Sequence, residues 1–151
     1  LKHFPAPDPH YADRVRESFS RQLVMEFLGA SMTQVSPGRC EIRLPYKPEL
    51  SQQHGYFHGG VIGIIGDSAG GYAAYTLMPA DAGVLTVEYK MNLLAPGDGE
   101  LLIARGQVLK AGRTLMVSRA DVGVVKDGRE TLCASLLQTL ITMKGTPEVQ
   151  G

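Results

Sequence analysis

Residues 59–78, GGVIGIIGDSAGGYAAYTLM, decide how the rest of the chain is read. Gly59, Gly63, Gly66 and Gly70 recur at spacings of four, three and four, which puts them along one helical face. Glycine costs a helix interior about 1 kcal/mol against alanine, so a stripe of it needs a tertiary reason. The reason expected here is a backbone pressed closely against a sheet. Val61, Ile62, Ile64, Ile65, Tyr72 and Tyr75 leave almost no polar face, as expected of a helix with sheet on one side and a second subunit on another. A competing reading makes the same small residues part of a parallel-sheet segment. The rest of the chain, however, supplies no repeating strand and helix units for such a sheet.

Downstream of Pro79 the chain reads as four strands, at about 83–94, 100–110, 114–125 and 131–143, joined by Pro96-Gly97-Asp98-Gly99, Ala111-Gly112-Arg113 and Lys126-Asp127-Gly128-Arg129. Gaps this short predict antiparallel neighbours, since parallel pairing needs a crossover of a dozen or more residues. Upstream, residues 48–58 lack periodicity and read as a loop. Residues 31–46 carry a Pro37-Gly38 turn, followed by Cys40, Ile42 and Leu44 alternating with charged residues, a half-exposed strand. Residues 10–29 read as an amphipathic N-terminal helix stopped by Gly29, and the proline-rich residues 1–9 as a loose arm. The fold class is α+β, one antiparallel sheet curved around a central helix with an extra N-terminal helix, which is the hotdog arrangement.

The totals fit one domain, 1–151. Fifteen basic and fifteen acidic residues cancel without long runs of either sign, which argues against a nucleic-acid backbone or a lipid surface as partner. Cys40 and Cys133 sit in apolar or alternating runs and read as buried free thiols. Neither they nor His3, His10, His54 and His58 show metal-ligand spacing, so no metal is expected. No leader pattern or membrane-length apolar run is visible, and a cytoplasmic location is the expectation.

One carboxylate stands inside the apolar helix. A buried Asp67 is either paired structurally or functional. The loop before the helix ends in His58-Gly59-Gly60, where first-turn N–H groups are free and glycine admits a substrate carbonyl, a ready oxyanion stabiliser. Gly59 precedes Asp67 by eight residues, about 12 Å of helical rise, so one carbonyl cannot touch both. Two copies with antiparallel helices would bring each helix start to the other's aspartate, which argues for a homodimer with composite sites. Residues 66–70, GDSAG, also match the G-x-S-x-G pattern. Every histidine precedes Ser68 and the flanking residues read as helix, so a serine-triad elbow is not supported.

The loop QQHGYFHGG, the run VIGIIGDSAGGYAA, the strand VEYKMNLLAPG and the GRTL hairpin together resemble the hotdog thioesterases of the PaaI (phenylacetate pathway) type over residues 20–144. The resemblance implies acyl-coenzyme A hydrolysis with Asp67 as the acid, acting as general base or as nucleophile. It places the carbonyl-polarising N–H on Gly59, with His58 beside it, a positioning amide on Gln52 and a water-orienting hydroxyl on Thr86. It implies no cofactor beyond the coenzyme A of the substrate, and a dimer of dimers. Lys90, Lys110 and Arg113 are candidates for the coenzyme A phosphates. Tyr56, Phe57, Tyr72, Tyr89 and Met91 are candidates for an apolar acyl tunnel, with the N-terminal helix as its lid. Two rivals stay open: a hotdog dehydratase or hydratase using His58, and a non-catalytic acyl-thioester binding protein.

Overall fold

The computed structural model describes residues 3–146. In chain order it comprises α1 (Tyr11–Ser20), α2 (Leu23–Leu28), β1 (Ser31–Ser36), β2 (Arg39–Pro45), a 3-10 turn (Pro48–Leu50), α3 (Gly59–Tyr75), β3 (Gly83–Leu93), β4 (Leu101–Ala111), β5 (Leu115–Lys126) and β6 (Arg129–Met143). The strands form one six-stranded antiparallel sheet in the order β1-β2-β4-β5-β6-β3, and α3 packs against its inner face. This is the expected hotdog architecture.

The glycine stripe does what its spacing predicts. A Cβ on Gly63 would meet the Tyr89 hydroxyl at 3.2 Å, one on Gly66 the Leu136 side chain at 2.7 Å, and one on Gly70 the Gln138 amide oxygen at 2.0 Å. The helix therefore lies close on β5 and β6 at Gly66 and Gly70, where an added side chain would force its neighbours to shift, and in tighter than ordinary contact with β3 at Gly63. Gly106 on β4 answers from the sheet side, where a Cβ would fall 2.1 Å from the Ala69 carbonyl oxygen. Ile62, Ile65, Ala69, Ala73 and Tyr75 are buried between helix and sheet, with Ile42, Leu44, Leu102, Val122 and Leu140 opposite them. Both cysteines are buried free thiols, and burial pushes Cys40 up to about 12 and Cys133 up to about 11.

Four expectations change, the first being that Ser31–Ser36, ahead of the Pro37-Gly38 turn, form a strand of their own, so that the sheet has six strands where five were read. The short link between β3 and β4 does not make a hairpin, because β3 pairs with β6 and forms a sheet edge while β4 lies between β2 and β5. Three strand spacings of about 4.8 Å each are within reach of a half-dozen extended residues. The link passes the start of α3, where the Phe57 N–H donates to the Gly97 carbonyl at 2.9 Å. A tight hairpin does form between β5 and β6. There Asp127 (φ 49°) and Gly128 (φ 75°) adopt the paired left-handed conformations of a type I′ turn.

The single helix read over 10–29 is two helices, broken at Gln22, whose backbone is extended (φ −77°, ψ 97°). The Ser20 hydroxyl bonds back to the Glu17 carbonyl at 2.8 Å, competing with continuation of the helix. The break lets α2 turn Met25 and Leu28 inward while Leu23 and Phe27 stay exposed. The lead-in read as a loose arm is anchored from Phe4 onward, since Phe4 packs on the core and buried Asp8 pairs with Arg14 at 3.0 Å. Leu1 and Lys2 lie outside the described residues. Arg14 donates to the Met78 and Pro79 carbonyls at 2.8 and 2.9 Å and covers the Tyr75 ring. A cation thus satisfies carbonyls beyond the C-terminal end of α3 and fastens α1 to it.

Candidate active site

Polar groups gather at two places along α3. At its start, the loop from Gln52 to His58 folds on itself, with the Gln52 N–H donating to the Tyr56 carbonyl, the Gly55 N–H to the Gln52 carbonyl and the His58 N–H to the Leu50 carbonyl, each at 2.9 Å. Gly55 takes a left-handed conformation (φ 80°) to close that turn. The Gln52 side-chain oxygen accepts the His54 backbone N–H, and its NH₂ has no acceptor among the described residues. His58 is the N-cap of α3, and its Nδ1 accepts the Gly60 N–H at 2.8 Å. That acceptor role requires an unprotonated Nδ1 and commits the imidazole to shaping the helix start. The His58 carbonyl takes the Val61 and Ile62 N–H groups, and the Gly59 N–H has no acceptor among the described residues. Gln52, Gly59, Tyr56, Phe57 and Ile62 line an open cleft of about 510 Å³ with Leu93 and Pro96.

Two turns further on, Asp67 is half-buried at a second cleft of about 260 Å³, lined also by Ser68, Gly71, Tyr72, Val84, Thr86 and Gln22. Its Oδ1 accepts the Thr86 hydroxyl from β3 at 2.8 Å and the Gln138 Nε2 from β6 at 3.1 Å. Burial raises the Asp67 carboxyl above its ordinary range, and the two hydrogen bonds offset only part of that rise. No arginine or lysine pairs with it among the described residues. Both donors act on Oδ1, so Oδ2 is the oxygen left for chemistry. A carboxylate biased toward the protonated form by burial, with one oxygen anchored, is suited to take up a proton from water or to attack a carbonyl.

The structure brings Asp67 and Thr86 together in one cleft and Gln52 and Gly59 together in another, while His58 caps the helix start and lines neither. Thr86 bonds to the acid itself, a contact that the water-orienting role did not include. Ser68 lines the Asp67 cleft with no histidine among the residues lining it, which leaves the triad pattern without a base. Lys90, Lys110 and Arg113 are exposed and line neither cleft. Tyr72 walls the Asp67 cleft, Tyr56 and Phe57 the other, and Met91 packs against the core. Gln138 escaped sequence reading altogether. The available signal was a long polar side chain between Leu136 and Leu140 on the inward face of the last strand.

A long glycine-striped helix wrapped by one antiparallel sheet defines the hotdog fold. The sequence profile of the thioesterase superfamily matches residues 54–133, more than half of the chain, and the chain belongs to that family. A crystal structure of a thioesterase family protein from Silicibacter pomeroyi superposes with a TM-score of 0.89 at 47% identity, covering 89% of this chain and 99% of that one. A Saccharolobus solfataricus protein named as an esterase is 30% identical over 132 residues, 87% of this chain and 85% of the relative. The 1,4-dihydroxy-2-naphthoyl-CoA hydrolase of Listeria monocytogenes is 24% identical over 112 residues, 74% of this chain and 89% of the relative. The E. coli PaaI protein from the phenylacetic acid degradation operon has a TM-score of 0.80 at 18% identity over 90% of this chain and 95% of that one, a likeness of fold alone. The chain is a thioester hydrolase. Among the described residues no helix is long and apolar enough to cross a membrane.

Proposed function

We propose that this chain hydrolyses an acyl-coenzyme A, as a PaaI-type thioesterase, in a site built from two subunits. The observation that carries the reading is the division of labour along α3: a free Gly59 N–H in one cleft and an anchored, electrostatically raised Asp67 in another. The thioester carbonyl meets the Gly59 N–H of one subunit, assisted by the positive end of its helix. Asp67 of the facing subunit takes a proton from water through Oδ2, the water oxygen bonds to the carbonyl carbon, and the C–S bond breaks with departure of the thiolate. Gln52, which lines the same cleft as Gly59, offers its NH₂ to the thioester or the water. Thr86 holds the acid and leaves its oxygen lone pairs to receive the water's second hydrogen. Direct attack by Oδ2, giving an anhydride that water then opens, uses the same residues.

The dimer reading is supported by β3, an edge strand with Leu85, Val87 and Leu93 more than half exposed. Unpaired edges of this kind favour pairing with another chain. A dimer of dimers is the assembly expected, with Lys90, Lys110 and Arg113 available to the coenzyme A phosphates and no other cofactor.

The test is thiol release from short, medium, long and aryl acyl-coenzyme A substrates, followed by subunit mixing. Asp67→Asn and a blocked Gly59→Val are each expected to be inactive. Refolded together in equal amounts they should regain about one quarter of wild-type activity, because half of the dimers are mixed and each mixed dimer holds one intact site. A mixture as inactive as its components would sink the shared site.

A further inference from the structure

We propose that Gln138, a residue outside the loop, helix and hydroxyl already assigned, is the positioning residue that keeps Asp67 ionised and aims it at the reacting centre. The inference rests on Asp67 being the acid.

Gln138 is fully buried on β6, beneath α3. Its Nε2 donates at 3.1 Å both to the Asp67 backbone carbonyl and to the Asp67 Oδ1. One amide therefore grips the main chain and the side chain of the same residue, which fixes the carboxylate's direction as well as its place. The other half of the amide has no hydrogen-bond partner among the described residues, and neither does the buried hydroxyl of its cross-strand partner Ser118. Leaving a buried acceptor unsatisfied costs on the order of 1–3 kcal/mol, so a core built for stability alone would favour an apolar side chain here. Gly70 completes the arrangement. A Cβ there would stand 2.0 Å from the Gln138 Oε1 and 2.9 Å from the Ser118 Oγ, so the glycine makes room for the amide.

The chemistry gives the direction of the effect. An N–H donor stabilises the carboxylate over the carboxylic acid. Turned the other way, the amide would set Oε1 against two oxygens of Asp67, so the donating orientation is the one an ionised acid selects. Other titratable groups do not take over this task. On the strands packed against α3, Glu41 of β2, Glu88 and Lys90 of β3 and Arg105 of β4 lie at outward positions of the register, and Asp121 and Arg119 of β5 do likewise. Tyr89 and Cys40 face inward, Tyr89 meeting α3 at Gly63, and Tyr72 and Tyr75 belong to α3 itself.

The experiment compares wild type with Gln138→Met, which fills the space without a donor, Gln138→Glu, which keeps the shape, and Asp67→Asn. Two readouts are used: the pH profile of kcat/KM with benzoyl-CoA and hexanoyl-CoA, and titration of the Asp67 carboxyl by 13C NMR, assigned by its loss in Asp67→Asn. Gln138→Met is expected to raise the Asp67 titration and the acidic limb together by about one pH unit, and to lower kcat about tenfold with KM little changed. Gln138→Glu should raise both further, since two adjacent carboxyl groups compete for one proton. An unmoved titration in a folded Gln138→Met protein overturns the proposal, and so does failure of both variants to fold, which would make Gln138 a core residue only. Activity surviving in Asp67→Asn would instead remove the acid reading on which the proposal stands.

Discussion

The two clefts on α3 hold their chemistry in opposite ways. At the helix start the group proposed to act is a backbone N–H, left free because a helix cannot satisfy its own first turn, and a loop clamped by its own backbone hydrogen bonds sets its direction. At Asp67 the group proposed to act is a side chain, placed by two other side chains that come from strands 19 and 71 residues away. A backbone donor cannot be deleted by substitution; it can only be displaced or covered. A carboxylate can be removed cleanly, and its ionisation depends on everything packed around it.

The contrast predicts graded losses. Asp67→Asn should lower kcat by about 10³-fold with little change in shape, since the amide oxygen of the introduced asparagine can still accept from Thr86 and Gln138; turnover within tenfold of wild type would end the distinction between the clefts. Gly59→Ala keeps the N–H but places a Cβ 3.1 Å from the Leu93 side chain. It should cost about 10²-fold through displacement, and a second change, Leu93→Ala, should recover part of the loss; no recovery would show that bulk is not the cause.

Thr86→Val removes one of the two donors to Asp67 and should cost about tenfold, with the acidic limb of kcat/KM moved to higher pH. A uniform loss at all pH values would assign the hydroxyl to the water rather than to the acid. The smallest effect concerns stability. Asp67 has its carboxyl raised in the folded chain, mainly by burial. Such a group adds stability below the ordinary carboxylate range and loses it as pH rises through the raised value. Asp67→Asn should therefore melt a few degrees higher than wild type at pH 7, with the gap closing in acid; a lower Tm at pH 7 would mean that the ionised form is stabilised in the fold.

How far these features were legible follows their range along the chain. The α3 glycine stripe, the His58-Gly59-Gly60 start and the strand alternation are local patterns, set by 3.6-residue and 2-residue periodicities, and each appears where its spacing put it. The break at Gln22 was not visible, because the apolar spacing of residues 10–29 fits an unbroken helix and only the docking of Met25 and Leu28 demands the turn. The partner of β3 was misread because a short link usually means a hairpin. Nothing in Pro96-Gly97-Asp98-Gly99 announces that the sheet curves far enough for the link to step across its end. Gln138 was missed because its partner lies 71 residues earlier in the chain.

By itself, then, the sequence determined a glycine-faced helix carrying one acid, a free N–H at its start and antiparallel strands to wrap it, since each depends on neighbours within a few residues. Only the tertiary structure decided that β3 is the open edge and that Thr86 and Gln138 hold the acid. Those outcomes depend on how the sheet curves around α3, and curvature arises from contacts between residues far apart in sequence.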